Sequence, residues 1–444
     1  MASRTQLTPR DENRLYQPSF RQDWERHTLY SLATWVNGIA FRDIQFSATG
    51  KPVIKISEIK QGLSSQTKYT EQVFNEAVHV RDGDLLFTWS GQPETSIDVF
   101  WWRGSDGWLN QHSFRVTSRK DIDQEFLFYL LKYVKPSFIG IARNKQTTGL
   151  GHVTRRDLET IEVACPQLPE QHAIAHILGA LDDKIELNRR MNETLEAMAR
   201  ALFKSWFIDF DPVRAKAAGR DPGFPADIAA LFPDSFQDSE LGEIPKGWDA
   251  KRLADLCSTQ YGYTASAANE LVGPKYLRVT DINKRNWIEW SDVPYCAIDA
   301  DARDVYALRV GDLVVARMAD PGKSAIIEED IDVVFASYLV RLKTPSLAQS
   351  YYIYGFLKSD LYTEYAEGAK SGSVQANMNA KVIVDVSCVV PPATLMQQYV
   401  NIVLPLRWRL VASSHESHTL ATLRDMLLPM LMSGELRVPA NQQV

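Results

Sequence analysis

Residues that could carry out catalysis or bind a metal are present but scattered through the 444-residue sequence. His172 and His176 lie one helical turn apart, yet such a pair is more typical of a helix surface than of a metal site. The Gly149-Leu150-Gly151 segment is too short for a dinucleotide-binding fingerprint and is better interpreted as a turn or bulge. The sequence contains no P-loop, GxSxG or HExxH motif, and no Asn/Asp-Pro-Pro-aromatic motif of adenine methyltransferases. We therefore predict that the chain is not an enzyme and holds no metal or cofactor of its own.

Cysteine and tryptophan are the other residue types with chemical potential. The four cysteines form no CxxC pair, which predicts packed thiols at Cys165, Cys257, Cys296 and Cys388. Three tryptophans could stack on bases, but double-stranded DNA hides its base faces. We therefore favour packing within the protein for Trp101, Trp102 and Trp108.

Charge and hydropathy narrow the class of protein further. The formal net charge of −6 argues against a general nucleic-acid-binding surface, although a local basic face is compatible with it. The N-terminal segment is polar and lacks the apolar region of a signal peptide. No stretch approaches the roughly eighteen apolar residues that a membrane-spanning helix needs. We expect a cytoplasmic protein without a membrane segment.

The longest predicted element is a helix from Pro169 to Phe207. Apolar residues recur along it in steps of three and four, as in the seam of a coiled coil: Leu178, Leu181, Ile185, Leu195, Ala199, Leu202 and Trp206. Asn188 and Asn192 occupy the seam positions between the two apolar runs. The Asp209-Phe210-Asp211-Pro212 segment should end the helix, because proline disfavours helix in the residue before it. A helix of this length spans ~55 Å, which is typical of an element that holds two parts of a protein apart.

A second long helix is predicted from Leu395 to Met432. Its apolar positions are Val403, Leu406, Leu410, Leu420, Leu427 and Leu431, and its middle is polar at Ser413, Ser414 and Ser417. Pro405 could kink this helix or mark its true start. If the two helices pair antiparallel, the asparagines of the first meet the serines of the second and fix the register. The alternative is that Asn188 and Asn192 face solvent.

The sequence between these helices repeats the sequence before them. Trp24 matches Trp248, Gly38 matches Gly262, and Cys165 matches Cys388, at offsets of 223 to 224. The other matching segments stay within six residues of this offset, which indicates an internal duplication. Strand-like runs alternate with turns and short helices such as Gln124–Tyr133, so each copy is predicted to be an α/β domain of roughly 145 residues with a mixed sheet. The Pro- and Gly-rich stretch 209–247 reads as a connector with one helical turn at 226–231.

Three segments resemble a known family. The text LPEQHAIAHILGALDDKIELNRRMNETLEAMARALFKSWFIDFDPVRAK, together with ELGEIPKGW and LRDMLLPMLMSGELRV, is similar to the conserved regions of specificity subunits from Type I restriction–modification systems. The resemblance implies that the two globular copies are target-recognition domains, each reading half of a split, asymmetric site in double-stranded DNA. It implies a non-catalytic subunit that docks two methyltransferase subunits, which use S-adenosylmethionine to modify adenines. Restriction subunits that use ATP and Mg²⁺ would complete the complex.

The resulting fold prediction is α/β. Two duplicated α/β target-recognition domains are separated by a long antiparallel two-helix coiled coil, in a pseudo-two-fold cyclic arrangement. The predicted division is an N-terminal tail (1–20), a first recognition domain (21–168), a central spacer helix (169–211), a connector (212–246), a second recognition domain (247–391) and a distal spacer helix (392–438).

Loop residues that differ between the two copies are the predicted DNA contacts, because different half-sites require different side chains on a common framework. In the first domain these are Lys60, Gln61, Arg143, Asn144, Lys145, Gln146, Arg155 and Arg156. In the second they are Arg278, Asn283, Lys284, Arg285, Arg317, Lys370, Ser373, Gln375 and Asn377. Arginine and lysine suit guanine edges and phosphates, whereas asparagine and glutamine suit adenine. The sequence near Arg143 and Lys145 offers no matching carboxylates, so we expect both to be available to DNA.

Two other functions remain compatible with the sequence. One is a tandem-repeat scaffold whose coiled coil recruits proteins rather than DNA. The other is an enzyme that acts on nucleic acid by itself, which the missing catalytic motifs disfavour. A salt-dependent shift of DNA mobility, with and without methyltransferase subunits, distinguishes the scaffold from a DNA-binding subunit.

Overall fold

The computed structural model describes residues 18–146, 149–370 and 377–438. The chain divides into two compact units. Unit 1 comprises the residues up to Ile185 together with those from Thr419 onward, and unit 2 comprises Glu186–His418. Each of the two long helices contributes one segment to each unit, so the units do not coincide with the domain division predicted from sequence, which stays a prediction.

Unit 1 contains twelve strands and five short helices in its described part. The strands are β1 (Glu25–Thr28), β2 (Ala33–Asn37), β3 (Lys51–Ile54), β4 (Tyr69–Thr70), β5 (His79–Val80), β6 (Leu85–Thr88), β7 (Ser90–Gly91), β8 (Asp98–Trp101), β9 (Gly107–Leu109), β10 (Ser113–Ser118), β11 (Gly151–His152) and β12 (Glu162–Cys165). The helices are α1 (Ile56–Gln61), α2 (Pro93–Ser96), α3 (Gln124–Tyr133), α4 (Lys135–Asn144) and α5 (Arg155–Leu158). The long helix α6 (Leu168–Phe207) follows them.

Unit 2 begins within α6 and continues through α7 (Asp211–Ala217) and α8 (Ala226–Ala229). Its strands are β13 (Phe236–Ser239), β14 (Gly242–Pro245), β15 (Asp249–Arg252), β16 (Ser258–Tyr261), β17 (Lys275–Leu277), β18 (Leu313–Ala316), β19 (Ser324–Ile326), β20 (Val333–Phe335), β21 (Leu339–Lys343) and β22 (Ser387–Val390). Its remaining helices are α9 (Val279–Ile282), α10 (Ala300–Tyr306), α11 (Leu347–Leu357), α12 (Asp360–Lys370), α13 (Ala380–Val384) and the long α14 (Ala393–Ser433).

The two units share the topology of their main sheet and of two strand pairs. A four-stranded antiparallel sheet has the order β2-β10-β6-β8 in unit 1 and β16-β21-β18-β19 in unit 2. The parallel pair β3–β9 corresponds to β17–β20. The first and last strands of each copy pair antiparallel, with Cys165 opposite Glu25 and Cys388 opposite Lys251. The duplication predicted from the sequence offset is confirmed by this topology.

An equivalent helix packs on the sheet of each unit. Asp123 caps α3 by accepting a hydrogen bond from the backbone N–H of Phe126 at 2.8 Å, and α3 covers the predicted residues. Ser346 caps α11 in the same way, by accepting from Gln349 N at 3.3 Å. Such caps satisfy backbone donors that have no partner within the helix. Apolar residues of α3 and α11 lie in the largest core of their own unit.

The predicted packing of tryptophans and cysteines is confirmed. Trp102 and Trp108 are 2% and 3% exposed, and Trp101 is half-buried. Cys165, Cys296 and Cys388 are buried and Cys257 is half-buried. Burial raises the pKa of the Cys165, Cys257 and Cys388 thiols to about 12, because a thiolate is poorly solvated there. No helix in the described ranges is long and apolar enough to cross a membrane.

The prediction of the first long helix is confirmed, but that of the connector is partly wrong. Phe210, with φ of 56°, breaks the helix after Phe207, as expected near Asp211-Pro212. Pro212 then occupies the first turn of α7, where its missing N–H costs nothing, so proline begins a second helix here. The connector also contains the hairpin β13–β14, in addition to the predicted helical turn, α8.

In unit 1 the two long helices meet through apolar side chains. Leu178 of α6 and Leu431 of α14 are fully buried in the core, and Leu427 packs against it while half-buried. The other predicted seam residues of this unit, Leu181, Ile185 and Leu420, are half-buried. Beside the seam, the Arg424 guanidinium lies 2.6 Å from Asp182, with both side chains about 30% exposed. The pairing is antiparallel, because the start of α6 contacts the end of α14.

In unit 2 the predicted polar layer is present. Asn188 and Asn192 are 0% and 2% exposed, so the alternative that they face solvent is wrong. Asn192 donates to Ser414 Oγ at 3.3 Å and accepts from the Ser413 hydroxyl. Asn188 donates to Glu416 Oε2 at 2.9 Å and contacts the Ser413 carbonyl at 3.4 Å. The Ser417 hydroxyl instead donates to the carbonyl of Ser413 in its own helix, at 2.8 Å.

The remainder of this seam follows the prediction in part, because Ala199 and Trp206 are 7% and 0% exposed. Leu195 and Leu202 are half-buried, whereas their neighbours Glu196 and Phe203 are 3% and 2% exposed. Glu196 is buried because it pairs with Arg407 of α14, which is itself 2% exposed. Arg407 also binds Glu328 through two hydrogen bonds, Nε to Oε1 at 2.7 Å and Nη2 to Oε2 at 2.5 Å.

The other predicted seam positions of α14 follow the pattern. Leu410 is 1% exposed and lies one turn from Arg407. The helix runs without interruption from Ala393 through Pro405, so the alternative that Pro405 marks its start is wrong.

Candidate nucleic-acid interface

The predicted DNA contacts of unit 1 lie around the short helix α2. Lys60, at the end of α1, donates from Nζ to the carbonyl of Thr95 at 2.6 Å. Arg143, at the end of α4, places Nε 2.6 Å from Glu94 Oε1. Gln61 and Asn144 are exposed beside them. The fold therefore brings together residues that are about eighty positions apart in sequence.

A second part of this basic group is centred on α5. Lys145 Nζ lies 2.6 Å from both carboxylate oxygens of Asp157. Arg155 pairs with Glu159 at 2.8 Å and lies over the ring of Tyr30 at 4.6 Å. Gln146 is exposed and donates to the carbonyl of Gly149 at 2.6 Å. The exposed Arg156 has no ion-pair partner within the described part of the chain.

The expectation that Arg143 and Lys145 lack carboxylate partners is wrong. The Arg143 hydrogen bond holds the pKa of the Glu94 carboxyl below its usual range. At Asp157 burial opposes ionisation, but hydrogen bonds from Lys145 and Thr154 outweigh it and lower the pKa. Glu94 and Asp157 belong to other segments, and only the fold brings them to these cations.

Arg278 of unit 2 immediately precedes α9 and pairs with Asp281 of that helix. Its Nη2 lies 2.9 Å from Asp281 Oδ1 and its Nε lies 3.0 Å from Oδ2. This two-point contact has the geometry that guanidinium and carboxylate prefer. The predicted contact at Arg278 therefore requires the guanidinium to serve Asp281 and DNA together, or to leave Asp281, whose side chain is 4% exposed.

The segment after α9 lines a cleft of about 390 Å³ in unit 2. Asn283, Lys284 and Arg285 are exposed on one wall of it. Arg285 pairs with Glu289 at 3.0 Å and lies over Trp287 at 5.9 Å. No carboxylate among the described residues pairs with Lys284.

The other walls of the cleft carry basic residues that the sequence analysis missed. They are Arg200 of α6, Lys323 of the loop between β18 and β19, and Lys358 at the end of α11. Asp320 and Glu367 are the acidic residues of the lining. The repeat contained one indication of this basic wall: Lys358 corresponds to Lys132 in the first copy, so the partners of the two lysines could have been compared.

Arg317 and Asn377 lie together at another place in unit 2. Arg317 follows β18, and its guanidinium lies 5.0 Å from the ring centroid of Tyr261. Its carbonyl accepts a hydrogen bond from Met378 N at 2.9 Å, which places the exposed Asn377 beside it. Arg317 Nε is buried without a hydrogen-bond partner in the described chain. Lys370 ends α12, and Ser373 and Gln375 lie outside the described residues.

Equivalent positions of the two copies therefore carry the predicted contacts. The end of α1 corresponds to the end of α9, the region of α2 to the loop before β19, and the end of α4 to the end of α12. DNA binding by these side chains stays a prediction.

Known proteins are similar to this chain over most of its length. A family model described as "Type I restriction modification DNA specificity domain" matches residues 21–197. The specificity subunit of the type I restriction enzyme HindI from Haemophilus influenzae is 26% identical over 407 residues, which cover 80% of this chain and 87% of that protein. The MjaIX specificity subunit from Methanocaldococcus jannaschii is 26% identical over 343 residues, covering 74% and 73% of the two chains.

A solved structure supports the fold. The crystal structure of a type I restriction–modification S subunit from M. genitalium superposes with a TM-score of 0.55 at 15% identity, and covers 94% of this chain and 99% of that one. This likeness concerns the fold alone. The family model and the curated relatives together make this chain similar to specificity subunits of type I restriction–modification systems.

Proposed function

We propose that this chain reads a bipartite, asymmetric site in double-stranded DNA, with one recognition domain on each half. The single observation that carries the proposal is the shared sheet topology of the two units, which bears different polar side chains at equivalent positions. A repeated framework with unlike contact residues is suited to reading two unlike short sequences. A scaffold that recruits proteins would not need this difference.

The exposed side chains at these positions have the required chemistry. Lysine and arginine bind phosphates and the O6 and N7 atoms of guanine, and asparagine and glutamine bind adenine in the major groove. Asn283, Lys284 and Arg285 stand where Lys60 and Gln61 stand in the other copy. We infer that these positions contribute to different half-sites.

The long helices are proposed to set the gap between the half-sites. Their register is favoured by the buried Asn188–Ser413–Asn192 contacts and by Arg407, which ties α6 and α14 to the sheet of unit 2 through Glu196 and Glu328. A fixed register would keep the distance between recognition surfaces constant.

The chain is proposed to act with other subunits. Two methyltransferase subunits would supply S-adenosylmethionine and methylate adenines, and restriction subunits would use ATP and Mg²⁺. Because the sequence contains no methyltransferase motif, the chain would contribute specificity and no chemistry.

Methyl transfer to defined DNA tests this proposal. The purified chain, its methyltransferase subunits and the two combined are each incubated with labelled S-adenosylmethionine and genomic DNA. We expect sequence-specific transfer only from the combination. Transfer by the chain alone would show an enzyme, and equal, sequence-specific transfer by the methyltransferase without this chain would contradict the specificity role.

A further inference from the structure

The basic residues of the cleft of unit 2 come from four separate segments. Arg200 comes from α6, Lys284 and Arg285 from the segment after α9, Lys323 from the β18–β19 loop and Lys358 from α11. Five basic side chains face two acidic ones, Asp320 and Glu367, across about 390 Å³. The volume lies in the range of ligand sites, and the excess of cations favours an anion.

Lys358 is the clearest sign that this cleft differs from an ordinary charged surface. In unit 1 the equivalent Lys132 is neutralised by Asp98, at 2.8 Å. In the register of the sheet, unit 2 has Lys323 in place of this aspartate, and the hydrogen bond that Lys358 Nζ donates in the described chain runs to the Ser324 carbonyl, at 2.7 Å. An ammonium carries three donors, so two remain for another acceptor.

The walls of the cleft are fixed by the protein itself. The β18–β19 loop is closed by the Ala316 N to Lys323 O hydrogen bond of 2.7 Å. Gly322 adopts φ of +92° and lies so close to α12 that a Cβ there would be 2.7 Å from that of Ala366. The Tyr354 hydroxyl donates to the carbonyl of Asn286 at 3.1 Å and holds the opposite wall. The cleft thus needs little reorganisation to accept a ligand.

We propose that this cleft binds a backbone phosphate of DNA, with Lys284, Lys323 and Arg200 at its rim and Lys358 at its base. This inference rests on the proposed function, which supplies the phosphodiester ligand. It assigns to unit 2 a phosphate contact that unit 1 cannot make in the same way, because Asp98 occupies the corresponding position. Such a contact fixes the recognition domain on the duplex without reading sequence.

The salt dependence of DNA binding tests the assignment. Each phosphate contact contributes about 0.9 to the slope of log K against log salt concentration. We expect Lys284→Ala with Lys323→Ala, in the full chain bound to its methyltransferase subunits, to lower this slope by about 2. The matched control is Lys343→Ala with Lys381→Ala, which removes two exposed lysines of unit 2 that do not line the cleft and should leave the slope unchanged.

A second arm uses inorganic phosphate and the chain alone, observed by ³¹P NMR line broadening. If the cleft variant changes the DNA slope, the backbone is the ligand. If only phosphate binding is present and is lost in the variant, the anion site holds but its DNA assignment is overturned. A third outcome would overturn the anion site itself: the wild-type complex binds DNA, the cleft variant has the same salt slope as wild type, and the wild-type chain binds no phosphate. Failure of the wild-type complex to bind DNA would instead refute the proposed function, and the phosphate arm would still decide about the cleft.

Discussion

Units 1 and 2 have the same strand order in their main sheet, but their basic side chains have different partners. In unit 1 the predicted contact residues Arg143, Lys145 and Arg155 each pair with a carboxylate. In unit 2 the rim residues Lys284 and Lys323 have no ion-pair partner in the described chain. The exchange of Asp98 for Lys323 at one position of the sheet removes the carboxylate partner of the equivalent lysine, Lys358. A duplicated framework can therefore keep its backbone and alter its recognition surface through few positions.

The contacts between α6 and α14 also differ between the two units. Unit 1 joins α6 to α14 through apolar residues and the partly exposed ion pair of Arg424 with Asp182. Unit 2 joins them through buried asparagines and the Arg407 network in addition to apolar packing, such as that of Phe203 and Trp206 on Tyr399. Burying polar residues between two helices costs desolvation free energy, but it favours the one register in which each polar group meets a partner. Unit 2 therefore contributes more to the register of the two helices.

Substitution of Arg407 should have the largest effect. Arg407→Met leaves Glu196 and Glu328 buried without their cation, which should lower the free energy of unfolding by about 3–5 kcal/mol. Arg424→Met removes a partly exposed pair and should cost less than about 1 kcal/mol. Thermal unfolding of both variants checks the difference. Equal losses would show that the buried network does not distinguish the two seams.

The pH dependence of DNA affinity should distinguish the contribution of Lys358 from that of the other basic residues. Burial lowers the pKa of Lys358 to about 8, with Glu196 opposing this effect and Arg407, Lys323 and Arg200 adding to it. Below pH 8 the ammonium is charged and can bind phosphate, and above it the charge is lost. We expect DNA affinity to fall by about tenfold from pH 7 to pH 9, the value of one charged hydrogen bond.

The control for this prediction is Lys358→Arg, because a guanidinium stays charged throughout this range. The variant should lose markedly less affinity between the two pH values, measured by fluorescence anisotropy at constant salt. An identical pH profile in wild type and variant would place Lys358 away from the ligand.

A smaller effect is expected at the paired cations of unit 1. Arg143→Ala with Lys145→Ala should lower the salt slope by less than about 1, because Glu94 and Asp157 already neutralise these side chains. Conversely, Glu94→Gln frees Arg143 and should steepen the slope by up to about 1. Titration of DNA at several salt concentrations measures both. A loss of about 2 in the double variant would mean that the two carboxylates release their cations on binding.

The sequence predicted those features that depend on local pattern. Apolar residues that recur in steps of three and four predicted α6. Matched pairs such as Trp24 with Trp248, all at nearly the same offset, predicted the duplication. Asn188 and Asn192 were predicted as a polar layer because they interrupt an otherwise apolar seam. Each of these signals lies within one helix or in a comparison of two aligned segments.

The missed features depend on tertiary contacts. The seam pattern predicted Leu195 as the buried residue where Glu196 is buried instead, since a charged side chain is buried only when a partner such as Arg407 lies opposite. Arg200 and Lys323 are more than a hundred residues apart, and the fold alone places them on one cleft. The pairing of Arg143 with Glu94 was missed for the same reason. Positions that look alike in a sequence can thus be neutralised in one copy and available in the other.

The central claim is that two unlike recognition surfaces, held by the paired helices, read two half-sites at a fixed gap. Methylome sequencing tests it in cells that carry the chain with its methyltransferase, as wild type and with seven residues inserted after Asn188 and after Ser414. One added heptad in each helix keeps the seams in phase and adds ~10 Å, which corresponds to about three base pairs. We expect two different half-sites in both strains, unchanged in sequence, with a gap longer by about three base pairs in the variant. An uninterrupted motif in the wild type, or an active variant with the original gap, would contradict the account.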